Sequence, residues 1–231
     1  MSYIAHCFGE SYDKAKEWLK SNCSNVLQID PRISIISVMN KECYDNSILV
    51  KQCAYNSILL NIPSSLLEIS SEQWINTLKI EGIINELIQI STEYVLILDG
   101  YDTCILKNLD SSFIQKFNDM KCDISFNYQL ACYPSEFFKK TKVHHLNAGV
   151  CFGKRNALLK FYQECASNNK EYKYISKYNN KPSEQYIVKL TALNSDLKIN
   201  IDSQGQLFYT SSFLQLKERI KLWNKKYQFS S

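Results

Sequence analysis

The stretch EYVLILDGYDTCIL, residues 93–106, is the part of the sequence from which the fold is easiest to deduce. Its apolar run at residues 94–98 lacks polar–apolar alternation, which is typical of a strand covered on both faces. The run ends in two carboxylates, Asp99 and Asp102. Two interpretations of this acidic end stay open: a metal site that holds a phosphate, and a polar turn, because Asp and Gly both favour turns.

Helical and strand patterns alternate along the rest of the chain. Apolar residues at Ile80, Ile83, Ile84 and Leu87 have the spacing of an amphipathic helix. Ser183 has the side chain of an N-cap and stands before a second helical segment. The predicted strands are residues 3–8, 25–29, 33–38, 57–62, 94–98, 123–132, 146–152, 197–201 and 207–209. The predicted helices are residues 11–19, 71–90, 111–120, 158–165, 182–190 and 213–227.

This alternation predicts the fold class α/β, a Rossmann-like sandwich with a mostly parallel central sheet flanked by helices. Right-handed crossovers then place a ligand site at the carboxyl ends of the strands. Asp99 and Asp102 follow the best-defined strand, so they would lie at that edge. We find no internal repeat and no linker, and therefore predict a single domain over residues 1–231.

The composition excludes several classes of protein. The 231 residues are 45% hydrophobic and 13% aromatic, enough for a hydrophobic core and against disorder. A formal net charge of +4 is too small to indicate a nucleic-acid partner. No signal-peptide pattern opens the sequence, and no run approaches the roughly 20 apolar residues of a membrane span. We therefore expect a soluble cytoplasmic protein without a transmembrane segment.

The cysteines favour a reducing compartment. There are nine, an odd number, no CxxC pair occurs, and several lie inside apolar runs such as GVCFG. Reduced, buried thiols fit this pattern better than disulfides. A structural zinc site is not indicated, because the paired ligand spacing is missing.

Two carboxylates at the end of a central strand can hold Mg²⁺ or Mn²⁺ and leave coordination positions for phosphate oxygens. Such a metal would neutralise a leaving diphosphate, the charge that develops when a nucleotide-sugar loses its sugar. The chemistry of Asp99 and Asp102 is therefore compatible with sugar transfer.

Five short motifs, taken in order, resemble one known family. They are LILDGYDTCIL, SFNYQLACYP, HLNAGVCFG, SEQYIV and IDSQGQLFY, residues 96–106, 125–134, 145–153, 183–188 and 201–209. In that order they are similar to an apolar strand with Asp-x-x-Asp, a strand ending in Cys-aromatic-Pro, a Leu-Asn-Ser-Gly strand, an acidic-acidic-Gln helix start and a Leu-Asp strand. The patterns that they resemble are those of glycosyltransferases of the GT-A fold, in particular the sugar-transferring domain of lysyl hydroxylases and the collagen galactosyltransferases. The first 70 residues match only as a generic nucleotide-binding strand.

The resemblance implies a metal-dependent glycosyltransferase that moves a sugar from a nucleotide-sugar, expected to be UDP-linked, to a hydroxyl of a glycan, protein or other acceptor. Residues 1–110 would bind nucleotide and metal, and residues 111–231 the donor sugar and the acceptor. Asp99 and Asp102 would hold Mn²⁺ or Mg²⁺, and Asp99 and Tyr101 would contact the donor. By fold analogy alone, His6 and Phe8 would contact the nucleotide base.

Further roles follow from the same resemblance. Asn147, Ala148 and Gly149 would let the donor sugar approach the backbone closely; alternatively, Asn147 caps a strand end. Glu184 and Gln185 are the candidate catalytic residues. Glu184 would contact an acceptor hydroxyl or act as a general base; alternatively, it only complements the dipole of a first helical turn.

The chain also departs from the family pattern. The usual third metal ligand is a histidine near the C-terminus, whereas this chain has only His6, His144 and His145. Adjacent residues on a strand point to opposite faces, so His144 and His145 cannot chelate together there. The acidic-acidic pair is Ser183-Glu184, with one carboxylate missing, and the hydroxylase half of the larger enzymes is absent.

These departures leave alternatives open. A non-catalytic nucleotide-sugar or glycan-binding relative is the first. A nucleotidyltransferase is less favoured, because only Gly9 stands where a glycine-rich phosphate loop is expected. The predicted C-terminal helix carries a basic face that would either be solvated or make weak peripheral membrane contact. Its basic residues are Lys217, Arg219, Lys221, Lys225 and Lys226.

Overall fold

The structure, a computed structural model, describes residues 2–8, 27–130, 133–171, 174–175 and 181–212. The strands in these ranges are β1 Ile4–Phe8, β2 Ile33–Val38, β3 Leu60–Asn61, β4 Tyr94–Asp99, β5 Thr103–Ile105, β6 Ile124–Tyr128, β7 Leu146–Lys154, β8 Ile199–Ile201 and β9 Phe208–Ser212. The helices are α1 Lys41–Asn46, α2 Ile48–Tyr55, α3 Ser64–Leu67, α4 Leu78–Gln89, α5 Ser111–Asp119, α6 Ser135–Phe138, α7 Arg155–Glu171 and α8 Glu184–Asn194.

The central sheet has six strands in the order β3-β2-β4-β7-β6-β8. The pairs β2–β3, β2–β4 and β6–β8 are parallel, while β7 runs antiparallel to both β4 and β6. The prediction of an α/β fold with a mostly parallel sheet flanked by helices is therefore confirmed. Strand β7 can reverse because an antiparallel neighbour of β6 needs no helical crossover.

Strand β1 lies in a second sheet, between β5 and β9. It pairs antiparallel with β5 and parallel with β9. The predicted strand at residues 3–8 thus exists, but it does not join the central sheet. Of the predicted strand at 25–29, the described part contains only an isolated bridge between Ile29 and Leu109. The predicted helices at 11–19 and 213–227 lie outside the described residues.

Strand β4 is covered on both faces, as its unbroken apolar run predicts. Val95 and Ile97 pack into the core on one face. Leu96 and Leu98 pack into a second core on the other. Helix α4 begins at Leu78 and not at residue 71, because residues 71–77 form turns.

None of the helices in the described ranges is long and apolar enough to cross a lipid bilayer. The six cysteines whose side chains the structure describes are free thiols, and all but Cys43 are buried. Burial raises the pKa of the Cys151 thiol to about 12, so this thiol is unreactive at neutral pH.

Four aromatic rings form the centre of the core on the α5 side of the sheet. The Phe152 ring stacks on Tyr94 at 5.7 Å and meets Phe113 and Phe117 edge-on at 4.7 and 4.9 Å between ring centroids. Phe152 is fully buried. Its position in β7 connects the central sheet to α5.

Replacing this ring should therefore be costly. We expect Phe152→Ala to lower the free energy of unfolding by about 3–5 kcal/mol, because it opens a cavity between sheet and helix. Urea denaturation followed by circular dichroism measures the change. Leu59→Ala is the matched control, since Leu59 is 78% exposed and should change the free energy by less than about 0.5 kcal/mol. Equal effects of the two substitutions would contradict the assignment of this core.

Candidate functional site

The chain leaves the central sheet at Asp99, the last residue of β4, and enters the small sheet at Thr103, the first residue of β5. The hydroxyl of Thr103 donates to the Asp99 carbonyl, and the hydroxyl of Ser47 donates to the Gly100 carbonyl. A side chain at Gly100 would collide with Met39. This tight turn presents Asp99 and the residue before β5, Asp102, on one side.

His6 of β1 completes a cluster with the two carboxylates. Its Nε2 lies 3.3 Å from Asp102 Oδ1 and 3.9 Å from Asp99 Oδ2, and the imidazole is 2% exposed. Burial lowers the pKa of His6, but Asp102 and Asp99 outweigh this effect and raise it above its ordinary value. One ligand atom of each residue lies within 4.8 Å of the others, so the three can hold a metal ion.

Gly149 of β7 leaves the space that this cluster occupies. A Cβ at this position would lie 2.6 Å from Asp99 Oδ2 and 2.7 Å from His6 Cε1. Any larger residue would therefore displace the carboxylate or the imidazole. The resemblance predicts Gly149 as a contact of the donor sugar; in the structure it also packs against the candidate metal ligands.

Lys79 is a site residue that the sequence motifs do not include. Its Nζ forms an ion pair with Asp99 Oδ1 and lies 3.5 Å from Glu184 Oε2. Burial by itself lowers the pKa of Lys79, but Asp99 and Glu184 more than offset this and raise it, so the ammonium keeps its charge. A signal is present in the sequence, since Lys79 stands four residues before Ile83 and continues the buried face of α4.

Glu184 begins α8, as predicted, and Ser183 caps this helix by accepting from the Tyr186 N–H at 3.3 Å. The Glu184 side chain is buried beside Lys79. Burial raises the pKa of Glu184 to about 7, while the Lys79 ammonium opposes the rise and Asp99 adds to it. A carboxyl group with a pKa near neutrality can both accept and donate a proton at working pH.

The remaining predicted residues support the strand beside this site. Gln185 Oε1 accepts from the Ala148 N–H at 2.8 Å, and its Nε2 donates to the Leu146 carbonyl. Asn147 Nδ2 donates to Gln129 Oε1 at 2.9 Å. These amides hold the part of β7 that extends past the end of its pairing with β4. Contact with the donor sugar stays a prediction for Asn147 and Ala148, and a catalytic role stays a prediction for Gln185.

A cleft of about 370 Å³ opens beside the cluster. Its walls come from the segments after β2 and β4 and from the turn before α4. Met39, Trp74 and Tyr101 give it apolar and aromatic surface, and Lys79 and Asp102 give it charge. A crevice at the carboxyl ends of neighbouring parallel strands is the usual ligand site of such sheets.

The side chain of Phe8, a predicted donor contact, lies outside the described part of the structure.

A search of known protein families finds no match to this sequence, and a search of curated proteins finds none either.

The environment of Glu184 predicts a pH dependence of stability. Its pKa of about 7 in the folded chain lies above the ordinary value of 4.5, so the folded state binds this proton more tightly than the unfolded state. The free energy of unfolding should therefore fall as the pH rises from 4.5 to about 7. Glu184→Gln should remove this part of the decrease in urea denaturation at a series of pH values. The exposed Glu81→Gln serves as control and should keep the wild-type slope; an unchanged slope in Glu184→Gln would refute the assignment.

Proposed function

We propose that this protein is a metal-dependent glycosyltransferase of the GT-A type that moves a sugar from a nucleotide-sugar, UDP-linked, to a hydroxyl acceptor. The observation that carries the proposal is that two carboxylates, a cleft and a buried carboxyl group lie side by side at the carboxyl end of β4. There the Asp99 and Asp102 carboxylates lie beside a cleft, and a buried carboxyl group, Glu184, is joined to Asp99 through Lys79.

The donor half of the reaction requires a site for a diphosphate and a base. Asp99 and Asp102 would hold a divalent cation, which when bound offsets the charge of the leaving diphosphate. Lys79 lines the same cleft and contributes a fixed positive charge. Trp74 and Tyr101 present aromatic surface on which a nucleobase or ribose can pack.

The acceptor half requires a group that takes a proton from a hydroxyl. Glu184 suits this role because its pKa is about 7, so that its basic form is populated at neutral pH. The Lys79 ammonium keeps that pKa from rising further. The free thiols of the described residues support a reducing compartment, and we place the reaction in the cytoplasm.

One observation favours a second candidate function, a non-catalytic nucleotide-sugar-binding relative. Lys79 already forms an ion pair with Asp99, the expected metal ligand. An ammonium in that place can attract a diphosphate without a metal. A protein that only binds a nucleotide-sugar would therefore not need the metal. The two candidates differ in whether UDP is released.

Removing one carboxylate tests the metal requirement. With Mn²⁺ and a panel of UDP-sugars, we expect UDP release by the wild type and a loss of at least about 100-fold in kcat/KM for Asp102→Asn, because the substitution removes a metal ligand. Asp45→Asn is the matched control, since Asp45 is exposed. Turnover that survives Asp102→Asn would reject the metal assignment. Binding without turnover would favour the non-catalytic relative, and calorimetry that detects no UDP-sugar binding would reject the donor.

Replacing the buried acid tests the acceptor half. We expect Glu184→Gln to lower kcat by about 10²- to 10⁴-fold, since general-base catalysis contributes that much. The Kd of the UDP-sugar should stay close to that of the wild type, because Glu184 is assigned to the acceptor. Steady-state kinetics and calorimetry separate the two effects. Unchanged kcat in Glu184→Gln would assign Glu184 a purely structural role.

A further inference from the structure

We propose that His6 is the third protein ligand of the divalent cation and that Asn127 is the residue that positions its imidazole. The inference rests on the proposed function in one respect, the metal site at Asp99 and Asp102. It extends that site with a nitrogen ligand from β1, a strand at the opposite end of the sequence from the C-terminal histidine expected by resemblance.

The distances fit a shared ion. His6 Nε2 lies 3.3 Å from Asp102 Oδ1 and 3.9 Å from Asp99 Oδ2. Both separations are shorter than twice a metal–ligand bond of about 2.1 Å, so an ion held by either carboxylate oxygen can also reach His6 Nε2. The ligand atoms of all three residues lie within 4.8 Å of one another. The imidazole is almost completely buried, and its Nε2 points at the carboxylates and not into the protein core.

Backbone pairing, and not only side-chain rotation, brings these ligands together. His6 is the register partner of Thr103 in the antiparallel pair β1–β5, and Thr103 directly follows Asp102. Gly149 closes the other side, where a Cβ would lie 3.0 Å from His6 Nε2. The imidazole therefore stays beside Asp102 wherever the small sheet is formed.

Asn127 of β6 lies within hydrogen-bond distance of the other ring nitrogen of His6, Nδ1. Its Nδ2 lies 3.3 Å from His6 Nδ1, and both residues are buried. A cation on Nε2 requires that nitrogen without a proton, which leaves the ring proton on Nδ1. Asn127 can accept a hydrogen bond from Nδ1–H through Oδ1 once its amide is turned, because an amide offers a donor and an acceptor on the same group.

This ligand set has a consequence for metal choice. Mg²⁺ binds almost only to oxygen ligands, whereas Mn²⁺ also prefers carboxylate oxygens but, as a first-row transition metal, accepts an imidazole nitrogen beside them. A site with one nitrogen and two carboxylate oxygens should therefore bind Mn²⁺ more tightly than Mg²⁺. His6 is the residue that would create this preference.

Mn²⁺ itself is the probe. We expect pulsed EPR of Mn²⁺ added to the full chain to show ¹⁴N coupling from an imidazole, and calorimetry to give a lower Kd for Mn²⁺ than for Mg²⁺. His6→Gln should abolish the coupling and weaken Mn²⁺ binding at least about tenfold, with a smaller effect on Mg²⁺. His145→Gln, which removes a histidine outside the cluster, should leave both measurements unchanged.

Substitutions of Asn127 test its positioning role separately from the ligand role of His6. Asn127→Leu should weaken Mn²⁺ binding by about 10- to 100-fold, the range for outer-shell partners. Asn127→Asp should restore binding, since a carboxylate also accepts from Nδ1–H. Equal Mn²⁺ affinity in the wild type and Asn127→Leu would overturn the positioning role.

The outcomes separate the inference from the proposed function. Mn²⁺ that binds the wild type without ¹⁴N coupling would overturn the ligand role of His6 and leave the metal at Asp99 and Asp102 intact. No Mn²⁺ binding at all would overturn this inference together with the metal requirement of the proposed function. A wild-type spectrum without this coupling overturns the ligand role of His6 even if His6→Gln fails to fold, and coupling that persists in His145→Gln excludes His145 as its source.

Discussion

The ion pair between Lys79 and Asp99 is the interaction on which the site depends. Charges in a protein interior are stable only when they are paired, because the loss of hydration is large. Lys79 keeps its ammonium in a mostly buried position because Asp99 and Glu184 face it. Lys79, which belongs to α4, therefore connects α4 with β4 through Asp99 and with the start of α8 through Glu184.

Asp99 has two oxygens with different neighbours. Oδ1 contacts Lys79, and Oδ2 faces His6 across a gap shaped by Gly149. A cation could thus bind on one side of the carboxylate while Lys79 keeps its contact on the other. Because Lys79 also faces Glu184, a change of charge at Asp99 acts on the Glu184 carboxyl without any backbone movement. This arrangement connects the donor and acceptor halves of the proposed reaction electrostatically.

Local patterns in the sequence are sufficient to predict the strand and the helices around the site. The unbroken run at 94–98 predicts β4, apolar periodicity predicts α4, and Ser183 marks the start of α8. Long-range pairing cannot be predicted in the same way. Strand β1 looks like the first strand of a parallel sheet, but its partners β5 and β9 come much later in the chain and no local pattern identifies them. Fold analogy accordingly assigns His6 to a nucleotide base, although the structure brings it to the carboxylates.

The cluster of Asp99, Asp102 and His6 depends on the absence of a side chain at Gly149. The atoms it would displace belong to Asp99 and His6, two residues that lie far from it in the sequence. A chain of this fold with any other residue at that position has no room for the cluster in this form. The identity of this one residue can therefore sort related sequences into those with space for a cation beside β4 and those without it.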